Sequence, residues 1–107
     1  MIELLAIPGW QTQPTTLDEW VRRLAELAGK PVELERESPQ ATWIMLPALR
    51  FRGFAVLAGP HVEAINFEVA EPDPTRATSL IAAAATALGW EIHAEDEGED
   101  DADEDDG

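Results

Sequence analysis

The stretch TTLDEWVRRLAELAG, residues 15–29, sets the terms for the rest of the chain. Leu17, Trp20, Val21, Leu24, Leu27 and Ala28 recur at helical spacing, with Asp18, Glu19, Arg22, Arg23 and Glu26 around the remaining circumference. Both ends are marked. Thr16 and Glu19 stand three apart, as a capping box requires, and Gly29 supplies the left-handed residue that closes a last turn. A helix with one apolar stripe has to cover it with another layer, so its flanks decide the fold.

Those flanks read as strands. Residues 2–7 are apolar and stop at Pro8-Gly9, which predicts a mostly buried strand. VELERE, residues 32–37, alternates with Val32 and Leu34 on one face and Glu33, Glu35 and Glu37 on a wet one. After the Ser38-Pro39-Gln40 turn, ATWIMLP and GFAVLA predict two strands joined through residues 50–53, and VEAINFEVA predicts a third beyond Gly59-Pro60. Asp73 as N-cap with Pro74 at the first helical position opens a second helix, alanine-rich at 82–85 and closed by Gly89. WEIHA is a last short strand.

The two helical regions keep step. Pro14-Thr15 and Pro74-Thr75, Val21 and Ile81, Gly29 and Gly89, Val32 and Ile92, and Glu35 and Glu95 are each sixty residues apart, as are Leu5 and Ile65, and Ile7 and Phe67. Two strand–helix–strand units with extra hairpin strands in the middle are the plan of an α+β, ferredoxin-like two-layer sandwich, with two helices on one face of an antiparallel sheet. The domain spans residues 1–94.

Residues 95–107, EDEGEDDADEDDG, are of another kind. They hold ten of the 22 acids and none of the seven bases, leaving residues 1–94 with a net charge of −5 within a total of −15. Repulsion at this density, with nothing larger than Ala102 to bury, predicts a disordered acidic tail. It serves either as a solubilising bristle or as a polyanion that imitates a nucleic-acid backbone, competing for a basic groove or folding back over Arg22, Arg23, Arg50 and Arg52. In the functional reading its contact groups are Glu99, Asp100, Asp101, Asp103, Glu104, Asp105 and Asp106.

This charge makes nucleic acid a poor partner for the full-length chain, since phosphates are held by bases that neutralise them. Anionic membrane surfaces are disfavoured for the same reason, no apolar run is long enough to span a bilayer, and the amino-terminal residues lack a basic secretory n-region. A cytoplasmic location is the expectation. The absence of cysteine excludes disulfides, thiol catalysis and thiolate metal sites.

RFRGFAVLA resembles part of the aromatic ribonucleoprotein motif of RNA-recognition domains: Arg52, Gly53, Phe54 and Ala55 match its basic, glycine, aromatic and small positions. The next stacking position is Val56, and the first strand supplies no second ring, so the segment reads first as a plain hairpin strand. Arg50 and Arg52, two apart on one side of an extended segment, read as an anion site or as charges offsetting an acidic surface. His61 and His93 stand far apart with no ligand set around them, and neither a glycine-rich phosphate loop nor a nucleophile elbow occurs. No catalytic residue, metal or cofactor is expected.

Among four tryptophans, Trp20 belongs to the helix stripe, whereas Trp10 after the Pro-Gly turn and Trp43 beside Thr42 are the candidate exposed anchors. The expectation is therefore a small non-enzymatic protein-binding module of adaptor, inhibitor or immunity type. Trp10, Trp43, Arg50, Arg52 and Phe54 carry contacts, and the tail attracts a basic partner surface. The alternative is a single-stranded nucleic-acid-binding accessory protein autoinhibited by its tail. A homodimer through an uncovered sheet face is also open.

Overall fold

The computed structural model describes residues 2–10, 12–70 and 74–94. Strand β1 (Ile2–Pro8) leads to helix α1 (Leu17–Ala28), then strands β2 (Glu33–Ser38), β3 (Ala41–Leu46), β4 (Phe51–Ala58) and β5 (His61–Val69), helix α2 (Thr75–Leu88) and strand β6 (Trp90–Ala94). The strands form one sheet in the order β2-β3-β4-β5-β1-β6, with every pairing antiparallel. Both helices pack on one face of it. The α+β class, the antiparallel sheet and the two helices are as the sequence suggests. The six strands go beyond a four-stranded ferredoxin-like plan, because β2 to β5 run as one continuous meander instead of a single central hairpin.

Helix α1 begins as its sequence signature demands. The Thr16 hydroxyl accepts from the Glu19 amide at 3.2 Å, and the Glu19 carboxylate accepts from the Thr16 amide at 3.1 Å. Such a cap contributes about 1 kcal/mol by serving amides the helix leaves unpaired. Gly29 closes the helix at φ 68°, donating to the Ala25 carbonyl. Helix α2 starts one residue later than expected: Pro74 occupies the cap position and Thr75 opens the helix, while Asp73 lies outside the described residues.

The core lies between the helices and the inner sheet face. Leu4 and Ala6 of β1, Ile44 and Leu46 of β3, Phe51 and Ala55 of β4, and Ile65, Phe67 and Val69 of β5 meet Trp20 and Leu24 of α1 and Ala77, Ile81, Ala84 and Ala85 of α2. Leu5 and Ile7 are the correction. They point to the opposite face, so these two do not match Ile65 and Phe67 of the core, whereas Gly29 and Gly89, also sixty apart, both close their helices in the left-handed region. The buried pairs Leu4 and Ile65, Ala6 and Phe67, Trp20 and Ile81, and Leu24 and Ala85 are each one residue further apart. Strand β2 also departs from expectation. It is the sheet edge beyond the helices, and Leu34 on its inner side stays 49% exposed.

Gly53 explains the R-G-F run in β4 without a ligand. It sits on the inner face opposite Phe67, and a Cβ there would lie 2.8 Å from both the Phe67 ring and Ile65 Cγ2. The bare backbone makes room for the largest ring of β5. Gly53→Ala is expected to destabilise the fold by about 1–3 kcal/mol through overpacking, read as a lower denaturant midpoint at an unchanged m-value.

Candidate protein-binding face

The helices leave the other sheet face bare, and the strand register fixes what it presents. One row across it reads Glu35, Trp43, Phe54, Asn66, Leu5 and His93, and the next reads Glu33, Met45, Arg52, Glu68 and Glu3. Ala41, Val56 and Ala64 make a third, and Ile7 stands beside Glu91 on the far side. The middle of this face therefore mixes apolar and aromatic side chains with Asn66 and the Arg52 and Glu68 pair. Carboxylates mark its margins.

Three of the residues singled out from the sequence meet here. The Trp43 and Phe54 rings pack edge to face across β3 and β4, with centroids 4.8 Å apart at 62°. The Arg52 guanidinium lies over the Trp43 ring, 4.7 Å from its centroid, and its Nε donates to the Glu68 carboxylate at 2.8 Å across β4 and β5. Arg52 thus has its charge matched on one side and its plane stacked on the other. Trp43 is half-buried, not the free-standing anchor its polar neighbour Thr42 suggests. Thr42 itself is buried, since it faces inward opposite Ala55.

Arg50 is placed differently from the sequence reading. It does not share a strand side with Arg52, because residues 47–49 form a short 3₁₀ turn and Arg50 caps it in the left-handed region at φ 61°. Its carbonyl accepts from the Ala70 amide at 2.9 Å, tying the turn to the end of β5. Arg50 and Arg52 nevertheless line the same hollow at that end of the sheet. Trp10 is elsewhere. It is 86% exposed in the turn after β1, whose Gly9 amide donates to the Gly89 carbonyl at 3.1 Å, at the opposite end of the strands and so ~20 Å from Arg50. Glu99, Asp100, Asp101, Asp103, Glu104, Asp105 and Asp106 lie outside the described residues.

Sequence reasoning overlooked Met45, Leu5, Ile7 and Val56 as members of this face, and Asn66 at its centre. The alternation of Asn66 and Glu68 against Ile65, Phe67 and Val69 was the available signal for β5. Asn66 Oδ1 is one of two buried side-chain polar atoms among the described residues without a hydrogen-bond partner, the other being Trp20 Nε1. Among the described residues, no group of three His, Asp or Glu side chains is arranged to hold a metal, and no helix is long and apolar enough to cross a membrane. No family model, curated protein or solved structure matches this chain.

Two outcomes are expected. A double-mutant cycle on Trp43→Ala and Phe54→Ala should return a coupling of about 0.5–1.5 kcal/mol in unfolding free energy, and additive losses would mean that the rings do not pack in solution. Asn66→Leu should leave stability unchanged or raise it by about 1 kcal/mol, because it removes an unserved acceptor from a site flanked by Phe54 and Leu5.

Proposed function

We propose that the chain is a small non-enzymatic binding protein of the cytoplasm, whose open sheet face docks on a protein partner with a basic surface, as an adaptor, inhibitor or immunity-type protein does. The observation that supports this is the distribution of side chains on the face: Trp43, Phe54, Met45, Leu5, Ile7 and Val56 surround the matched Arg52 and Glu68 pair and Asn66, with Glu33, Glu35 and Glu91 on the edge strands and Glu3 at the start of β1. An apolar centre with a tryptophan supplies affinity through desolvation, and a charged margin sets encounter rate and choice of partner. The ten carboxylates of residues 95–107 follow directly on β6. They offer a basic groove the kind of charge run that a nucleic-acid backbone offers, and they add reach to the attraction.

The same distribution disfavours the other occupants. In a face-to-face homodimer the acidic margins of two copies would oppose each other, which costs free energy wherever like charges meet without counter-charge. A single-stranded nucleic acid needs open ring faces and unmatched cations, whereas Arg52 covers Trp43 and is itself held by Glu68.

A photo-crosslinking residue at position 43 is expected to capture a basic protein, and the same residue at position 76 on α2 is not. With that partner purified, Trp43→Ala should weaken binding by about 2 kcal/mol or more. Glu33→Lys combined with Glu35→Lys should slow association and flatten its salt dependence, and removal of residues 95–107 should act on the association rate more than on dissociation. Equal capture from both positions, full affinity in Trp43→Ala, or capture of an oligonucleotide would defeat the proposal.

A further inference from the structure

The hollow at the Arg50 end of the sheet has about 350 Å³ of space, at the lower end of the range of roughly 300–1,000 Å³ found for small-ligand sites. Met45, Pro47, Phe51 and Ala70 give it an apolar wall, and its charged members are Arg50, Arg52 and Glu68. Arg52 is paired with Glu68, so these two cancel. No carboxylate among the described residues is within ion-pair distance of Arg50. Among the described residues the lining therefore carries one positive charge without a carboxylate partner, on a face whose margins are acidic.

The backbone adds a second observation. Arg50 is the only non-glycine residue with a positive φ among the described residues, at a turn-capping position where glycine relieves the steric cost of a Cβ. An arginine is held there against backbone preference, beside the mouth of an apolar hollow. The guanidinium is a planar fork of donors matched to a planar carboxylate, and a single unmatched charge calls for a single negative one.

We infer that this hollow binds a small apolar molecule bearing one carboxylate, with Arg50 pairing the carboxylate and Met45, Pro47, Phe51 and Ala70 receiving the apolar body. Binding is non-covalent and needs no protein partner, so its test is separate from that of the docking face. Octanoate and octan-1-ol are titrated into the full chain while backbone amide signals are followed by NMR. Octanoate is expected to shift the amides of Arg50, Phe51 and Ala70 saturably and to bind about tenfold more tightly than the alcohol, the worth of a charge-assisted pair. Arg50→Gly relaxes the turn, so it should melt no lower than the parent and bind the two probes equally. Arg50→Asn, which also tolerates the left-handed region, repeats the measurement in a second background. An unchanged preference for octanoate in both variants, or no saturable binding to the parent, would overturn the inference.

Discussion

Trp20 is the side chain on which the arrangement of layers depends. It is fully buried, with its ring 5.8 Å from Phe67 of β5 and edge-on to Trp90 at 5.2 Å, so one residue of α1 touches both the middle of the sheet and the start of its last strand. Trp90 is fixed in turn by its Nε1, which donates to the Thr15 hydroxyl at 2.9 Å, one residue before the α1 cap. Cap, helix and edge strand are thus tied through two indoles. The arrangement carries a cost, since Trp20 Nε1 is buried without an acceptor and such an orphan forfeits about 1–3 kcal/mol. The area two indoles and a phenyl ring remove from water outweighs it.

With both helices committed to one side by this cluster, the opposite face is left to its own side chains. Strand β4 shows the division most clearly: Phe51, Gly53 and Ala55 are buried under the helices, while Arg52, Phe54 and Val56 face out. Inward, size is traded across strands, with no side chain at Gly53 where Phe67 needs space. Outward, partners are matched by chemistry, as Arg52 is to Glu68 and Trp43. One strand therefore packs the core on one side and carries the Arg52 pairings with Glu68 and Trp43 on the other.

How far this could be read from the sequence follows from the same physics. Caps and turns are local, so the Thr16–Glu19 box and Gly29 stand where the sequence puts them. Strand β1 defeated the alternation rule because apolar residues occupy both of its faces, and IELLAI carries no phase to say that Leu4 and Ala6 point inward while Leu5 and Ile7 point out. Arg52 and Phe54 stand together in RFRGFAVLA, but their meeting with Trp43 depends on the register of β3 against β4, a long-range property. Arg50 departs from the extended reading because nothing in LPALRF announces that an arginine takes the left-handed position that usually signals glycine. The two arginines line one hollow although Arg50 caps the turn and Arg52 stands within β4.

The sheet edges decide which surface is left for association. An unpaired strand is a template for adding another strand, and charge is the usual guard against it. Edge strand β2 carries Glu33, Glu35, Arg36 and Glu37 in six residues, and edge strand β6 is only five residues long, with Glu91 and His93 on the open side. Backbone pairing at either edge would bring these charges against an incoming strand and strip their water. At the centre of the open face the charges are matched to each other, Arg52 to Glu68, and Trp43 and Phe54 sit among Met45, Val56 and Leu5. Charge at the edges thus disfavours strand addition, and under the proposed function association would fall to the face, through side-chain shape and charge instead of backbone hydrogen bonds. On the proposed docking reading, a partner would be chosen by what it places against the Trp43, Phe54 and Arg52 cluster and the carboxylate margin, and the ten carboxylates of residues 95–107 would act on the speed of encounter.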